Sequence, residues 1–326
     1  MPPGVFVLVL FVAVLHVLWN AILKSSGDTL RTAARAMVVG VAVFSPAVVA
    51  AWLATGRPGL TGDVLALALI SGVLEAAYFV TLSAAYQRGD LSVVYPIARG
   101  TAPVVAVMLG VVVLGERLSP LGTVGVAALL AGIVLVQRPW RAVAAIAAVG
   151  RRARGGAVMG SVPGTGPGIA PGAAEFALLT GVTIAAYSAV DRTAVQHVAP
   201  WLYAGVVFPI CAVVLVAWVR LVADRRRSSA TVVAPPAAVT PALAPASWLR
   251  SGIAGTVSLG AYGLILLAYT LAPLTAVAPL RESSVVIASA WGAIRMREAV
   301  SSVDRARRIG GACLVLIGAV LLALDP

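Results

Sequence analysis

Lysine and asparagine are almost missing from this 326-residue chain: one of each, Lys24 and Asn20, against twenty-three arginines. Lys24 follows a leucine, so the Gly-Lys of a phosphate-binding P-loop does not exist, and ATP-driven work would need a separate partner. Histidine is as scarce, with two, and no H-E-x-x-H zinc pattern occurs. The two cysteines, Cys211 and Cys313, each lie inside an apolar run, which excludes a disulfide framework and a C-x-x-C metal spacing. Charged residues are only 11% of the chain, too few to coat a soluble exterior. These absences lead to the expectation of no enzyme, no cofactor and no bound metal.

What is there is oil. Hydrophobic residues make up 60% of the chain and the mean hydropathy is +1.00. The net charge of +12 would suggest nucleic acid on a soluble protein. Here the arginines cluster between apolar segments, as topology signals do, so the expected partner is membrane lipid and not nucleic acid. The apolar N-terminus lacks a basic n-region and contains His16, Trp19 and Asn20, so it reads as a retained helix and not a signal peptide.

A membrane helix takes about 20 mostly apolar residues. Ten stretches qualify: 4–24, 32–54, 63–87, 92–114, 119–137, 173–193, 200–222, 248–271, 275–294 and 307–324. The expected fold class is all-α, a polytopic membrane protein of ten transmembrane helices. Residues 1–137 form a first five-helix half, 138–172 a basic then Gly/Pro-rich linker, and 173–326 a second half with a flexible loop at 223–247. Trp52, Trp140, Trp201 and Trp248 fall near helix ends, where an indole can sit between lipid and water. Arginines crowd the fifth-to-sixth, seventh-to-eighth and ninth-to-tenth joints, all on one side. The positive-inside rule makes that side cytoplasmic and places both termini outside a plasma or inner membrane.

The two halves resemble each other. "AAYQRGDLSVVYPIARG" (84–100) lies over "LAYTLAPLTAVAPLRES" (267–283) at a constant offset of 183, matching Pro96 to Pro279. "GVAALLAGIVL" (125–135) lies over "GACLVLIGAVL" (311–321), and "LWNAILK" (18–24) over "AYSAVDR" (186–192). Five helices per half is odd, so the halves must cross the membrane in opposite senses: two inverted repeats, an arrangement that lets opening to one face become opening to the other. The small residues of the second match suit close helix packing within a protomer or between two, the latter giving a homodimer.

At these residues the sequence resembles the drug/metabolite transporter superfamily, in particular its ten-helix members with two EamA-type halves. "LWNAILK", the run 95–136 with its "GERLSP" joint, and the weaker copies 278–300 and 310–324 carry the resemblance. The second copy departs at "MREAVSS", which lacks the Gly before its Glu298. The resemblance implies a small-metabolite carrier or exporter. It also implies cytoplasmic termini, as many members are drawn, against the charge count.

A charge in mid-membrane costs at least a few kcal/mol, which makes it either functional or one partner in a structural pair. His16, Asn20, Lys24 and Asp28 are spaced by four, and each step turns the side chain by only about 40°. That polar stripe faces a bundle, with Trp19 beside it able to stack on a substrate or pack on a helix. A lone Lys in an Arg-rich chain hints that the compact ammonium is wanted; the alternative is that Lys24 snorkels to the interface and His16 bonds within the core. Glu75 either pairs with a base such as Lys24 or Arg99 or takes up a proton. Arg99 could hold an anion at two points, with a hinge or a mere kink at Pro96, Gly100 and Pro103. In the matching stretch Arg281 and Glu282 lie near Pro279, and adjacent opposite charges are expected to face different ways. Asp191–Arg192, at the end of the sixth helix, is either an interfacial clamp or a functional pair of charges. Tyr78, Tyr187, Ser188 and Tyr262 are further candidates to line a cavity, with packing as the alternative.

The expectation is a secondary transporter that moves a small polar metabolite, such as an amino acid or other anionic or zwitterionic compound, by alternating access. Proton coupling, exchange and the substrate gradient are the open driving forces. The rival readings are a membrane-embedded lipid-headgroup enzyme and a non-transporting scaffold.

Overall fold

The computed structural model describes residues 1–24, 26–88, 91–138, 172–230, 246–283 and 302–324. Among the described residues every regular element is a helix: α1 (Pro3–Lys24), α2 (Thr29–Ala54), α3 (Gly62–Tyr86), α4 (Leu91–Val112), α5 (Pro120–Gln137), α6 (Ala173–Ala194), α7 (Pro200–Ala230), α8 (Trp248–Leu271), α9 (274–283) and α10 (Ser302–Leu324). Six are long and apolar enough to cross a membrane: α2, α3, α6, Pro200–Val222 of α7, α8, and Arg305–Leu324 of α10. Their outward faces carry large exposed apolar side chains such as Val43, Val49, Leu69, Val213 and Leu316, which only lipid would cover without cost.

Local chemistry sets the ends. Asp28 caps α2, its carboxylate accepting from the Arg31 amide at 3.0 Å. Ser119 caps α5 with Pro120 in the first turn, the Ser-Pro of "GERLSP". α4 stops at Val112, two residues before the expected end, because Gly115 takes a left-handed φ of 65° and turns the chain back, the Glu116 amide bonding the Gly110 carbonyl. Two ends overrun expectation. α7 continues to Ala230, so the first part of the expected loop 223–247 is helical, and α10 starts at Ser302, taking the basic run at 305–308 into the helix. Arginine is a good helix former, and charge ends a membrane span without ending a helix. The joint at 138–172, beyond its two end residues, and the second part of the expected ninth helix lie outside the described residues.

The chain divides into two compact units, with boundaries inside α1, α3 and α6, and each unit takes segments from both parts of the chain. The first comprises Met1–Ala13, Thr81–Ala189 and Leu271–Pro326; the second comprises Val14–Val80 and Val190–Thr270.

In the first unit α5 and α10 pack face to face through glycines. A Cβ at Gly132 would lie 2.6 Å from the Gly311 carbonyl oxygen, and one at Gly318 2.5 Å from that of Gly125. Numbering rises along one helix as it falls along the other, so the pair is antiparallel. Of the two options for these small residues, packing within the protomer is the one observed. The start of α6 packs its alanines Ala173, Ala174 and Ala177 on Ala85, Val94, Ile97 and Ala98.

In the second unit α2 meets α8 at Gly40 and Gly255, and α3 meets α7 at Gly72 and Ile210. Arg35, a charge in a predicted span, serves as a clasp. Its guanidinium donates to the Ala246 carbonyl at 3.1 Å and stacks 4.6 Å from the Trp248 ring, tying the start of α8 to α2.

Candidate functional site: two buried polar clusters

The first cluster lies in the first unit, on α4 and α9. Arg99 Nη1 sits 3.1 Å and 3.0 Å from the two carboxylate oxygens of Glu282, and both residues are buried. The anion that Arg99 holds here is therefore supplied by the chain itself. Arg281 corrects one expectation. Its Nε also donates to Glu282 Oε1, at 3.2 Å, so the neighbouring opposite charges do share one place. An arginine stem is long enough to curl its guanidinium around the helix onto the next residue, which a short side chain could not do. α4 stays helical through Pro96, Gly100 and Pro103, and Pro279 is buried within α9. Pro103 has no amide to give the Arg99 carbonyl, so the backbone beside the ion pair is one bond looser than the rest of the helix. Tyr187 and Ser188 are buried on α6 in the same unit, and Ser188 Oγ has no hydrogen-bond partner among the described residues.

The joint after α4 adds a residue that the sequence did not mark. Glu116, inside "GERLSP", accepts from the Leu274 amide at 2.7 Å and the Thr275 amide at 2.9 Å, capping the first turn of α9. Its negative charge meets the positive end of the helix dipole. Replacing Glu116 with alanine strands two amides, and we expect a loss of about 1–2 kcal/mol in an unfolding titration, with Glu116→Gln in between.

The second cluster lies in the second unit. Asp191, on α6, has no solvent exposure. Its Oδ1 accepts from Ser71 Oγ of α3 at 2.5 Å and from the Tyr203 hydroxyl of α7 at 2.8 Å. Its Oδ2 accepts from the Tyr262 hydroxyl of α8. One carboxylate thus gathers four helices. Glu75, one turn beyond Ser71 on α3, is also buried. Arg192 and Gln196 both donate to the Tyr269 carbonyl near the end of α8, Gln196 at 3.0 Å.

On α1, the half-buried His16 stands edge-on to Trp19 at 6.5 Å, and Trp19 edge-on to Phe79 at 6.1 Å, with Tyr78 beside Phe79 at 4.8 Å. The buried Trp19 Nε1 finds no acceptor among the described residues. Asn20 and Lys24 belong to α1, and their side chains lie outside the described residues.

Residues 3–138 match the model of the EamA-like transporter family. That match covers about two fifths of the chain, its first five helices. The protein is a multi-pass membrane protein, and EamA-like proteins are membrane transporters. No curated protein matches the sequence. A solved structure recorded as "Crystal structure of protein" is similar over 99% of each chain, with a TM-score of 0.61 and 17% identity, a likeness of fold alone.

Expectation and structure part company most at Asp191. It reads first as an interfacial clamp in the sequence, since it precedes an arginine near a helix end, yet its carboxylate is buried and accepts from three hydroxyls. Tyr203 and Ser71 carry no mark in the sequence for a different reason: a hydroxyl inside an apolar helix looks like ordinary packing until its acceptor is known. The second unit also carries a groove of about 470 Å³, lined by Phe44, Val48, Gly205, Phe208, Leu259 and Leu264 among others. Its one hydroxyl, that of Ser45, donates to the Val41 carbonyl, and the rest of the lining is mostly apolar.

Proposed function

We propose that the protein is a secondary transporter that moves a small polar metabolite, anionic or zwitterionic, across the cytoplasmic membrane by alternating access. The observation that carries this reading is the depth of its charge. Asp191, Glu75, Arg99, Arg281 and Glu282 are all buried, and two of them, Glu75 and Asp191, lie on helices long and apolar enough to cross a membrane. Such residues are expensive in a membrane and serve a passage more readily than a scaffold. The buried Trp19 Nε1 and Ser188 Oγ, donors with no acceptor among the described residues, support a polar ligand, because an open buried donor costs about 1–3 kcal/mol until something fills it.

The fold is read as ten membrane helices in two inverted halves. The packing supports this reading. At the offset of 186 that lays 125–135 over 311–321, Gly125 corresponds to Gly311 and Gly132 to Gly318. Exchanging correspondents turns the Gly125–Gly318 contact into the Gly311–Gly132 contact, and both occur. In the second unit Gly72 and Gly255 correspond at 183, and each packs on the second helix of the opposite half, α7 and α2. This reciprocity is what a two-fold relation requires.

Lys24 is the leading partner for an anionic group of the substrate, with His16, Asn20 and Trp19 on the same helix and Tyr78 and Tyr262 as further lining. Glu75 is the leading proton carrier if transport is proton-coupled. Both termini are placed outside the cell on the arginine count; a C-terminal reporter that signals from the cytoplasm would reverse this. Uptake into proteoliposomes across a panel of amino acids and organic acids tests the reading. We expect at least one solute to accumulate, with Lys24→Ala reducing its rate tenfold or more and Glu75→Gln abolishing any dependence on a pH gradient. A panel with no transported solute would count against a carrier, and full activity in both variants would remove these residues from the site.

A further inference from the structure

In a carrier of two matching inverted halves, the inward-open and outward-open forms are related by letting the halves trade conformations. A contact between residues that do not correspond has a twin, and the two can differ between forms. A contact between residues that do correspond has no twin, because the exchange returns it to itself. Arg99 and Glu282 are 183 positions apart, the offset that lays Pro96 over Pro279. The ion pair therefore joins two corresponding positions, one of which carries the cation and the other the anion.

We infer that the Arg99–Glu282 ion pair sits on the pseudo-two-fold axis and stays closed in both forms, as the fixed pivot that positions α4 against α9 and not as a gate. The inference rests on the alternating-access reading above. Burial supports it. The two side chains are only 10% and 2% exposed, and separating such a pair strands two charges out of water. A gate would do this once in every cycle, whereas a pivot never does. The glycine crossing of α5 and α10 in the same unit obeys the same logic, since its two contacts are exchanged for each other and the crossing as a whole is returned to itself. Arg281 breaks the symmetry. Its correspondent is Ala98, so the second guanidinium on Glu282 comes from one half alone. It supports the carboxylate without needing a mirror image.

A contact present equally in two states biases neither, whereas a gate contact present in one state biases that state strongly. The experiment uses the full chain in lipid nanodiscs, with ketone-bearing residues at the exposed Arg117 and Ala199 carrying spin labels, so that the native cysteines stay untouched. Pulsed electron spin resonance reads the distance between the two joints. Two populations are expected in the wild type; a single population under every condition sinks the alternating-access reading itself, and this inference with it. In Arg99→Ala/Glu282→Ala the ratio of the two populations is expected to change less than threefold, while the melting temperature falls by at least about 5 °C. A larger change in the ratio makes the pair a gate and overturns the inference, as does an unchanged melting temperature, which would mean that the pair holds nothing. If the double alanine variant does not fold, Arg99→Glu/Glu282→Arg keeps the pair in the opposite sense. It is expected to fold with the ratio again within threefold, and a larger shift, or failure to fold, overturns the inference.

Discussion

Asp191→Asn will be among the most damaging single-atom changes available in this protein, at about 3 kcal/mol of stability. The carboxylate accepts hydrogen bonds from three hydroxyls on three helices, and it does so with no solvent to share the load. Hydrogen bonds to a charged acceptor are worth about 1.5–3 kcal/mol each, but an asparagine does not merely weaken them. Its NH₂ group presents hydrogens where one oxygen had accepted one, so at least one of Ser71, Tyr203 and Tyr262 must turn away or lose its partner. Unfolding in mixed micelles measures the loss. Tyr203→Phe and Tyr262→Phe should each cost about 1–2 kcal/mol, and either should cost less when combined with Asp191→Asn, since the partner is already compromised. An Asp191→Asn variant as stable as the wild type would show that the carboxylate does not hold α3, α6, α7 and α8 together.

The contrast between Asp191 and Arg99 explains how much of the site could be read in the sequence. Helices were legible because a bilayer demands long apolar runs, and α8 spans the expected 248–271. Arg99 and Glu282 were visible as charges deep in such runs, and the repeat offset placed them over one another. Their bond was not visible, because a repeat says which residues correspond and not which of them meet. Asp191 stands next to an arginine, and one-dimensional adjacency suggests a local clamp. In space the two diverge: the carboxylate turns to three hydroxyls, and the Arg192 guanidinium to the Tyr269 carbonyl. Glu116 is the reverse case. The "GERLSP" motif stood out, yet its glutamate acts 158 residues away, on the first amides of α9. Partners that distant leave no local trace. Helix ends at 222 and 307 were misplaced for a simpler reason: arginines mark the edge of the membrane, and the helix need not stop there.

Gly255→Ala gives the second large effect, from a single methyl group. The α2–α8 contact is so close that a Cβ at Gly255 would overlap the Ala36 carbonyl oxygen, while one at Gly40 would lie 3.0 Å from the Gly255 carbonyl oxygen. The obstacle at Gly255 is backbone, which cannot swing aside as a side chain would, so the two helices must separate along their whole seam. In lipid no hydrophobic force compensates, because helix association there depends on close packing. We expect Gly255→Ala to cost about 1–3 kcal/mol, and Gly255→Leu to abolish recovery of folded protein. Gly263, two turns further along α8, has nothing within 4 Å of the Cβ that alanine would add. Gly263→Ala should therefore be neutral or slightly stabilising, since alanine favours a helix over glycine by about 1 kcal/mol. The pair of variants separates packing from propensity. Equal losses at both positions would mean that α8 tolerates no change at all, and equal stability would mean that the α2–α8 seam is wider than the glycine spacing requires.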